Sequence, residues 1–239
     1  MGSSILSLRS YLDEEVGIDS SHLTDCEIDK WRPQLCRTIA QELTAPTFIK
    51  VHDAYSNNAR GEPLFPSDAV AAVVYAVRNP LQVCVSYAHH QNDSLDWAIE
   101  QMANEDALLF NRVGFQQQMR QKLSSWHDHV SSWADQSEIP LHLVKYEDLN
   151  SRTEQVFSDL LSGLGFSVDQ NRIRFAVESS RIEKLQHQEG ADGFLEKNPN
   201  SFNFFRSGKT DDWKQQLTPV QVSRIKENQR PMMEKLGYL

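Results

Sequence analysis

Apolar residues recur along this chain at two periods, one helical and one extended. Between residues 6 and 16 the spacing of Leu6, Leu8, Tyr11 and Leu12 suits a short helix that Gly17 stops. Thr24 and Glu27 form a capping box ahead of a longer helix, on which Ile28, Trp31, Leu35, Ile39 and Leu43 repeat at helical spacing and Pro33 falls in or near a tolerated early turn. Further helical patterns cover residues 80–90, 94–103, 115–135, 153–164, 172–188 and 218–236. Three short runs are instead nearly continuous in apolar and β-branched residues, at 47–52, 73–77 and 141–146, and read as buried strands. They end at His52, Arg78 and Tyr146.

Buried strands separated by helices predict an α/β fold, with a parallel sheet covered by helices on both faces, because each crossover must return the chain to the same end of the sheet. Ligands of such sheets sit beyond the carboxyl ends of the strands, where His52, Arg78 and Tyr146 fall. Residues 190–209 form the longest candidate loop. No internal repeat or low-complexity segment interrupts the pattern.

Composition narrows this picture. With 239 residues, 39% hydrophobic and 24% charged, the chain suits one globular domain over residues 1–239. A formal charge of −9 argues against general nucleic-acid binding, so an anion site must be built from a few placed residues. No apolar run approaches the roughly 18 residues that span a bilayer, and the first residues lack the pattern of a secretory signal. A cytoplasmic protein without membrane attachment is expected. The three cysteines, Cys26, Cys36 and Cys84, form no CxxC pair and are expected as packed thiols, with neither a disulfide framework nor a metal cluster. His127 and His129, two apart on a predicted helix, make a poor metal pair.

The chemistry concentrates after the second strand. Arg78, Asn79 and Pro80 make a strand-to-helix turn, and Ser86 follows eight residues after Arg78. A guanidinium fork and a hydroxyl so placed can meet at one phosphate; a salt-bridged Arg and a helix-surface Ser are the bland alternative. Three other segments occur with this one in a telling order: 49–52 with Lys50 and His52, 144–149 around Tyr146, and 204–209 followed by Asp212, Trp213 and Lys214.

In these segments, from about residue 19 to the C-terminus, the chain resembles the sulfotransferases that use 3'-phosphoadenosine-5'-phosphosulfate (PAPS) as co-substrate. The resemblance implies a phosphate-loop-kinase-like fold and transfer of a sulfuryl group to a hydroxyl or amine of a small-molecule acceptor, with no metal. It implies that Arg78 and Ser86 hold the donor 3'-phosphate and that Arg206, Ser207 and Gly208 close over it, with Tyr146 near the adenine and, more weakly, Ser180 on the same base. His52 resembles the catalytic base and Lys50 a lysine that stabilises the sulfuryl oxygens. For His52 the alternative is a strand-end histidine bonded to Asp53 or to backbone.

One family feature has no counterpart here: the opening strand and its loop of the Pro-Lys-Ser-Gly-Thr-Thr-Trp kind, which holds the 5'-phosphosulfate. A fold with its first strand missing is therefore expected, with neighbouring strand edges left unpaired. A fragment or misplaced start is the simplest explanation; a strand supplied by a partner and a relative with impaired activity are the others. A nucleotide kinase is disfavoured because no Gly-x-x-x-x-Gly-Lys-Ser/Thr occurs. The family's Lys-x-x-x-Thr-Val-x-x-x-Glu dimerisation segment is broken here, which leaves the oligomeric state open.

Overall fold

A computed structural model of the chain describes residues 5–109, 118–194, 197, 201 and 203–239. In chain order the elements are α1 (Arg9–Val16), α2 (Asp25–Glu42), β1 (Val73–Val77), α3 (Pro80–Gln91), α4 (Leu95–Ala103), β2 (Leu108–Leu109) and β3 (Gln121–Lys122). There follow α5 (Trp126–Ala134), β4 (Leu141–Lys145), α6 (Tyr146–Ser151), α7 (Thr153–Gly163), α8 (Gln170–Ser179), α9 (Ile182–Asp192), α10 (Trp213–Gln216) and α11 (Pro219–Lys235). The class is α/β, rich in helix. The chain divides into two compact units, one of residues 1–73 and 104–141, the other of residues 74–103 and 142–239.

In the first unit, α1 packs on α2. Gly17 adopts the left-handed conformation at φ 74° that ends α1, and Thr24 and Glu27 close the capping box that opens α2. Leu12, Ile28, Leu35 and Met119 are fully buried. β2 and β3 pair antiparallel, Leu108 opposite Lys122. The expected helix over 115–135 is shorter than its pattern. Residues 115–117 lie outside the described ones, residues 121–122 form β3, and the helix begins only where Ser125 caps it by accepting from the Asp128 N–H. Trp133 packs in the core, and its indole donates to the Asp53 carbonyl at 3.0 Å.

The expected strand over 47–52 is not formed: residues 46–54 carry neither helix nor strand, and Phe48 is 61% exposed. β-branched and aromatic residues favour a pleated surface but do not create one; a strand needs a neighbouring backbone to pair with. Cys26 also departs from expectation. It lies in the first turn of α2 and is exposed, whereas Cys36 and Cys84 are buried free thiols.

β1 and β4, which lie in the second unit except for their first residues, form a two-stranded sheet, to which α3, α6 and α7 are joined along the chain. The amide of Val73 bonds the carbonyl of Pro140, so the two strands start side by side and run parallel. α11 packs on both α3 and α4. The single helix expected over 172–188 is two, α8 and α9, because Ser180 and Arg181 leave helical geometry between them. Of the loop expected over 190–209, residues 190–192 belong to α9, and residues 195, 196, 198–200 and 202 lie outside the described ones.

Candidate functional site

The parallel start of β1 and β4 means that they also end together, and each hands on one polar side chain. Arg78 follows β1, and Tyr146 follows β4 as the first residue of α6. The Arg78 guanidinium carbon lies 4.2 Å from the centre of the Tyr146 ring, a cation–π contact. Arg78 Nη1 donates to Ser86 Oγ at 3.1 Å, and Nη2 donates to the Lys209 carbonyl at 2.7 Å. Pro80 at the first turn of α3 and Asn79 as its cap fix the turn that sets this geometry, with Asn79 Oδ1 accepting from the Leu81 N–H at 3.0 Å.

The loop over 206–209 is drawn in from the other side. Tyr146 donates its hydroxyl to the Gly208 carbonyl at 3.2 Å. Gly208 has φ 63°, a conformation that favours glycine, and a side chain there would meet Ile182 of α9 at 3.6 Å. Asp212 ties the loop down by accepting from Arg206 Nη2 and from Ser207 Oγ, each at 2.7 Å. The Ser207 hydroxyl, with Arg206 beside it, holds the Asp212 carboxyl below its usual range.

The electrostatics suit an anion. Burial, and then the neighbouring Arg206 charge, push the Arg78 guanidinium below its ordinary pKa, against the pull of Tyr146 and Glu147. Arg78 Nε is buried with no hydrogen-bond partner among the described residues. A phosphate at this fork would supply both the missing acceptor and the missing counter-charge. Arg78, Ser86, Tyr146, Arg206, Ser207 and Gly208 are thus brought together in one unit. Ser180 is not part of the cluster: it is exposed at the end of α8, and its hydroxyl donates to the Ala176 carbonyl at 2.8 Å. Its neighbour Ile182 is the residue that reaches Gly208.

Two residues of the cluster had no role in the sequence reading. Glu147 accepts from the Asn79 N–H and from the Tyr238 hydroxyl, both at 2.9 Å, and so joins the α3 turn to α6 and to the C-terminal residues. Gln82, wholly buried, accepts from the Trp213 N–H at 3.2 Å and locks the start of α10 against α3. A polar residue on the buried side of α3 was the available signal for Gln82; Glu147 sat in a recognised segment, but nothing in the sequence paired it with Asn79.

Lys50 and His52 belong to the first unit. Lys50 is exposed and His52 half-buried. The backbone around His52 is anchored: its carbonyl meets His129 Nε2 at 3.1 Å, and the next residue, Asp53, accepts two bonds from Arg32 at 2.8 Å each. His129 must carry its proton on Nε2 to donate there. Among the described residues no group of three or more His, Cys, Asp or Glu could hold a metal ion, and no helix is long and apolar enough to cross a membrane.

The model of the sulfotransferase domain family matches residues 39–237. Among known relatives, Sulfotransferase 1A1 of Canis lupus familiaris is 24% identical over 217 residues, covering 83% of this chain and 66% of its own length. The 3-beta-hydroxysteroid sulfotransferase of Cavia porcellus is 26% identical over 183 residues, 73% of this chain and 61% of its own. The chain therefore spans less than two thirds of the length of these relatives. In structure it resembles mouse sulfotransferase SULT7A1 complexed with PAP, with TM-score 0.61 and 18% identity over 82% of this chain and 68% of that one. Retinol dehydratase in a complex with retinol and PAP gives TM-score 0.58 at 18% identity, over 82% and 56%. These likenesses describe the fold, while the match over residues 39–237 establishes kinship: the chain belongs to the sulfotransferase domain family.

Proposed function

We propose that the chain takes part in sulfuryl transfer from PAPS to a hydroxyl or amine of a small-molecule acceptor. The observation that carries this reading is the Arg78 cluster, a half-buried guanidinium fork whose buried Nε is unpartnered among the described residues, with a hydroxyl and a second arginine, gathered at the carboxyl ends of two parallel strands. Arg78 and Ser86 hold the 3'-phosphate, and the loop of Arg206, Ser207 and Gly208 covers it. Tyr146 stacks beside the adenine, with Ser180 at most a peripheral contact. Proteins of this fold complexed with PAP support a nucleotide of this kind as the ligand.

In the transfer step the acceptor oxygen or nitrogen forms a bond to sulfur while the bond from sulfur to the 5'-phosphate oxygen of PAPS breaks, releasing 3',5'-diphosphoadenosine (PAP). His52 takes the proton that the acceptor loses. The fixed hydrogen bond on its carbonyl from His129 supports this role by holding the backbone that carries the imidazole. Lys50 offers positive charge to the sulfuryl oxygens. The buried, unpaired thiols Cys36 and Cys84 fit a reducing compartment, and we place the protein in the cytoplasm. A second reading, nucleotide binding without transfer, draws on the lack of strand structure over 46–54, where Lys50 is exposed.

Calorimetry with PAP tests the shared site. Binding is expected, and Arg78→Ala should weaken it by about two orders of magnitude, the loss of two charge-assisted hydrogen bonds at roughly 1.5 kcal/mol each. Unchanged affinity in that variant refutes the site. Labelled sulfate transfer from PAPS to an acceptor panel then separates the readings: turnover that is lost in His52→Ala supports the first, and PAP binding with no turnover supports the second.

A further inference from the structure

The first unit contains a cavity of about 310 Å³ lined mostly by polar residues. That is at the lower end of the roughly 300–1,000 Å³ of small-molecule sites, most of which are lined mainly by apolar side chains. Among the described residues that line it, only Leu64 and Leu108 are apolar. The rest of the wall consists of Arg32, Asp29, Arg120, Lys122, Asp106 and the neighbours Ser56 and Asn57.

Part of this wall is a fixed frame. Arg32 is 3% exposed and grips Asp53 with two bonds of 2.8 Å. Asp53 also accepts the Lys122 N–H at 3.2 Å, and the Ala54 N–H donates to the Lys122 carbonyl at 2.7 Å. Arg120 Nη2 donates to Asp29 at 2.5 Å. The frame thus pins the chain immediately after His52 to the cavity wall. The side chains of Ser56, Asn57, Asp106 and Lys122 make no hydrogen bond or ion pair to another described residue, so a hydroxyl, an amide, a carboxylate and an ammonium group remain to meet a ligand.

Resting on the sulfotransferase reading above, we infer that this cavity receives the acceptor and that the acceptor is a small hydroxyl-rich molecule, a sugar or related polyol. A flat, mostly apolar phenol or steroid would cover Asp106, Lys122, Asn57 and Ser56 with one or two polar groups to bond them all, leaving the others stripped of water and unpaired. A purely anionic ligand would face Asp29 and Asp106, and a purely cationic one would face Arg32, Arg120 and Lys122. Each sugar hydroxyl both donates and accepts, so a polyol satisfies both signs at once. One such hydroxyl is also the group that sulfuryl transfer modifies.

The test is binding, independent of turnover. Saturation-transfer NMR on the full chain would use methyl α-glucopyranoside and maltose, with 4-nitrophenol, androsterone and glycine as comparison ligands. Saturable binding of the sugars is expected. Lys122→Met and Asp106→Asn, both at exposed positions, should each weaken it by about tenfold, the loss of a hydrogen bond to a charged group. Circular dichroism on the same samples verifies that the variants are folded, and Asn57→Ala provides a third, uncharged change with the same expected direction. Absent sugar binding, preferential binding of the phenol, the steroid or glycine, or sugar binding that ignores all three substitutions overturns the inference. A parallel PAP titration keeps the two proposals distinct, since PAP binding without sugar binding removes only the acceptor assignment, and sugar binding without PAP binding removes only the donor site.

Discussion

At the scale of single residues, the chemistry depends on charges held out of water with incomplete compensation. Arg78 keeps its proton against burial with Tyr146, Glu147 and Asp212 nearby but no direct carboxylate bond, and that is what makes the fork receptive to phosphate. His129 is the opposite case, a base kept neutral. Burial pushes its pKa down, only partly countered by the bond to the His52 carbonyl. In the unfolded chain the imidazole takes up a proton near pH 6.5. The unfolded state therefore binds more protons below that pH, and the stability that neutral His129 contributes is complete above it and is lost as the pH falls through it towards the depressed folded value. Thermal melts between pH 7.5 and pH 5 should show the midpoint dropping with acid. His129→Gln, which retains an N–H donor for the His52 carbonyl, should flatten that slope; an unchanged slope would show that other groups set it.

At the scale of elements, what the sequence revealed depended on whether the cause was local. The turn at Arg78, Asn79 and Pro80, the cap at Thr24 and the stop at Gly17 are set by neighbouring residues, and all three formed where their residues predicted. The meeting of Arg78 with Tyr146 was legible because two parallel strands that start together must end together. The run over 47–52 was misread for a complementary reason: its β-rich composition is local, but a strand is a relation between two backbones. The consequence is that Phe48, 61% exposed, lies outside any strand, while Val74 on β1 is 39% exposed. Exposed apolar side chains of this kind invite contact with other chains. Sedimentation velocity over a range of concentrations should show self-association of the chain, and Phe48→Ser should reduce it with little loss of secondary structure. Equal association in the variant would place the sticky surface elsewhere.

At the scale of the whole molecule, a chain of formal charge −9 is proposed to bind a multiply charged anion. Overall charge acts over distances that salt screens within about 10 Å at 0.1 M, whereas a half-buried arginine fork acts at contact. Affinity must therefore be generated locally, and its stabilising effect should be local too. Every residue of the Arg78 cluster belongs to the second compact unit, in segments far apart along the chain: the start of α3, the start of α6 and the loop before α10. A ligand that binds only the folded state at about 100 times its dissociation constant adds roughly 2.7 kcal/mol against opening of the elements it holds. Hydrogen exchange with and without saturating PAP should then show slowed exchange in residues 78–86, 146–151 and 203–213, because those amides lie on the elements that converge on the fork. The amides of α2 and α5, which contribute no residue to it, should exchange at unchanged rates. Protection centred on α2 or α5 would move the nucleotide site to the other unit, and with it the roles assigned here to Arg78 and Arg206.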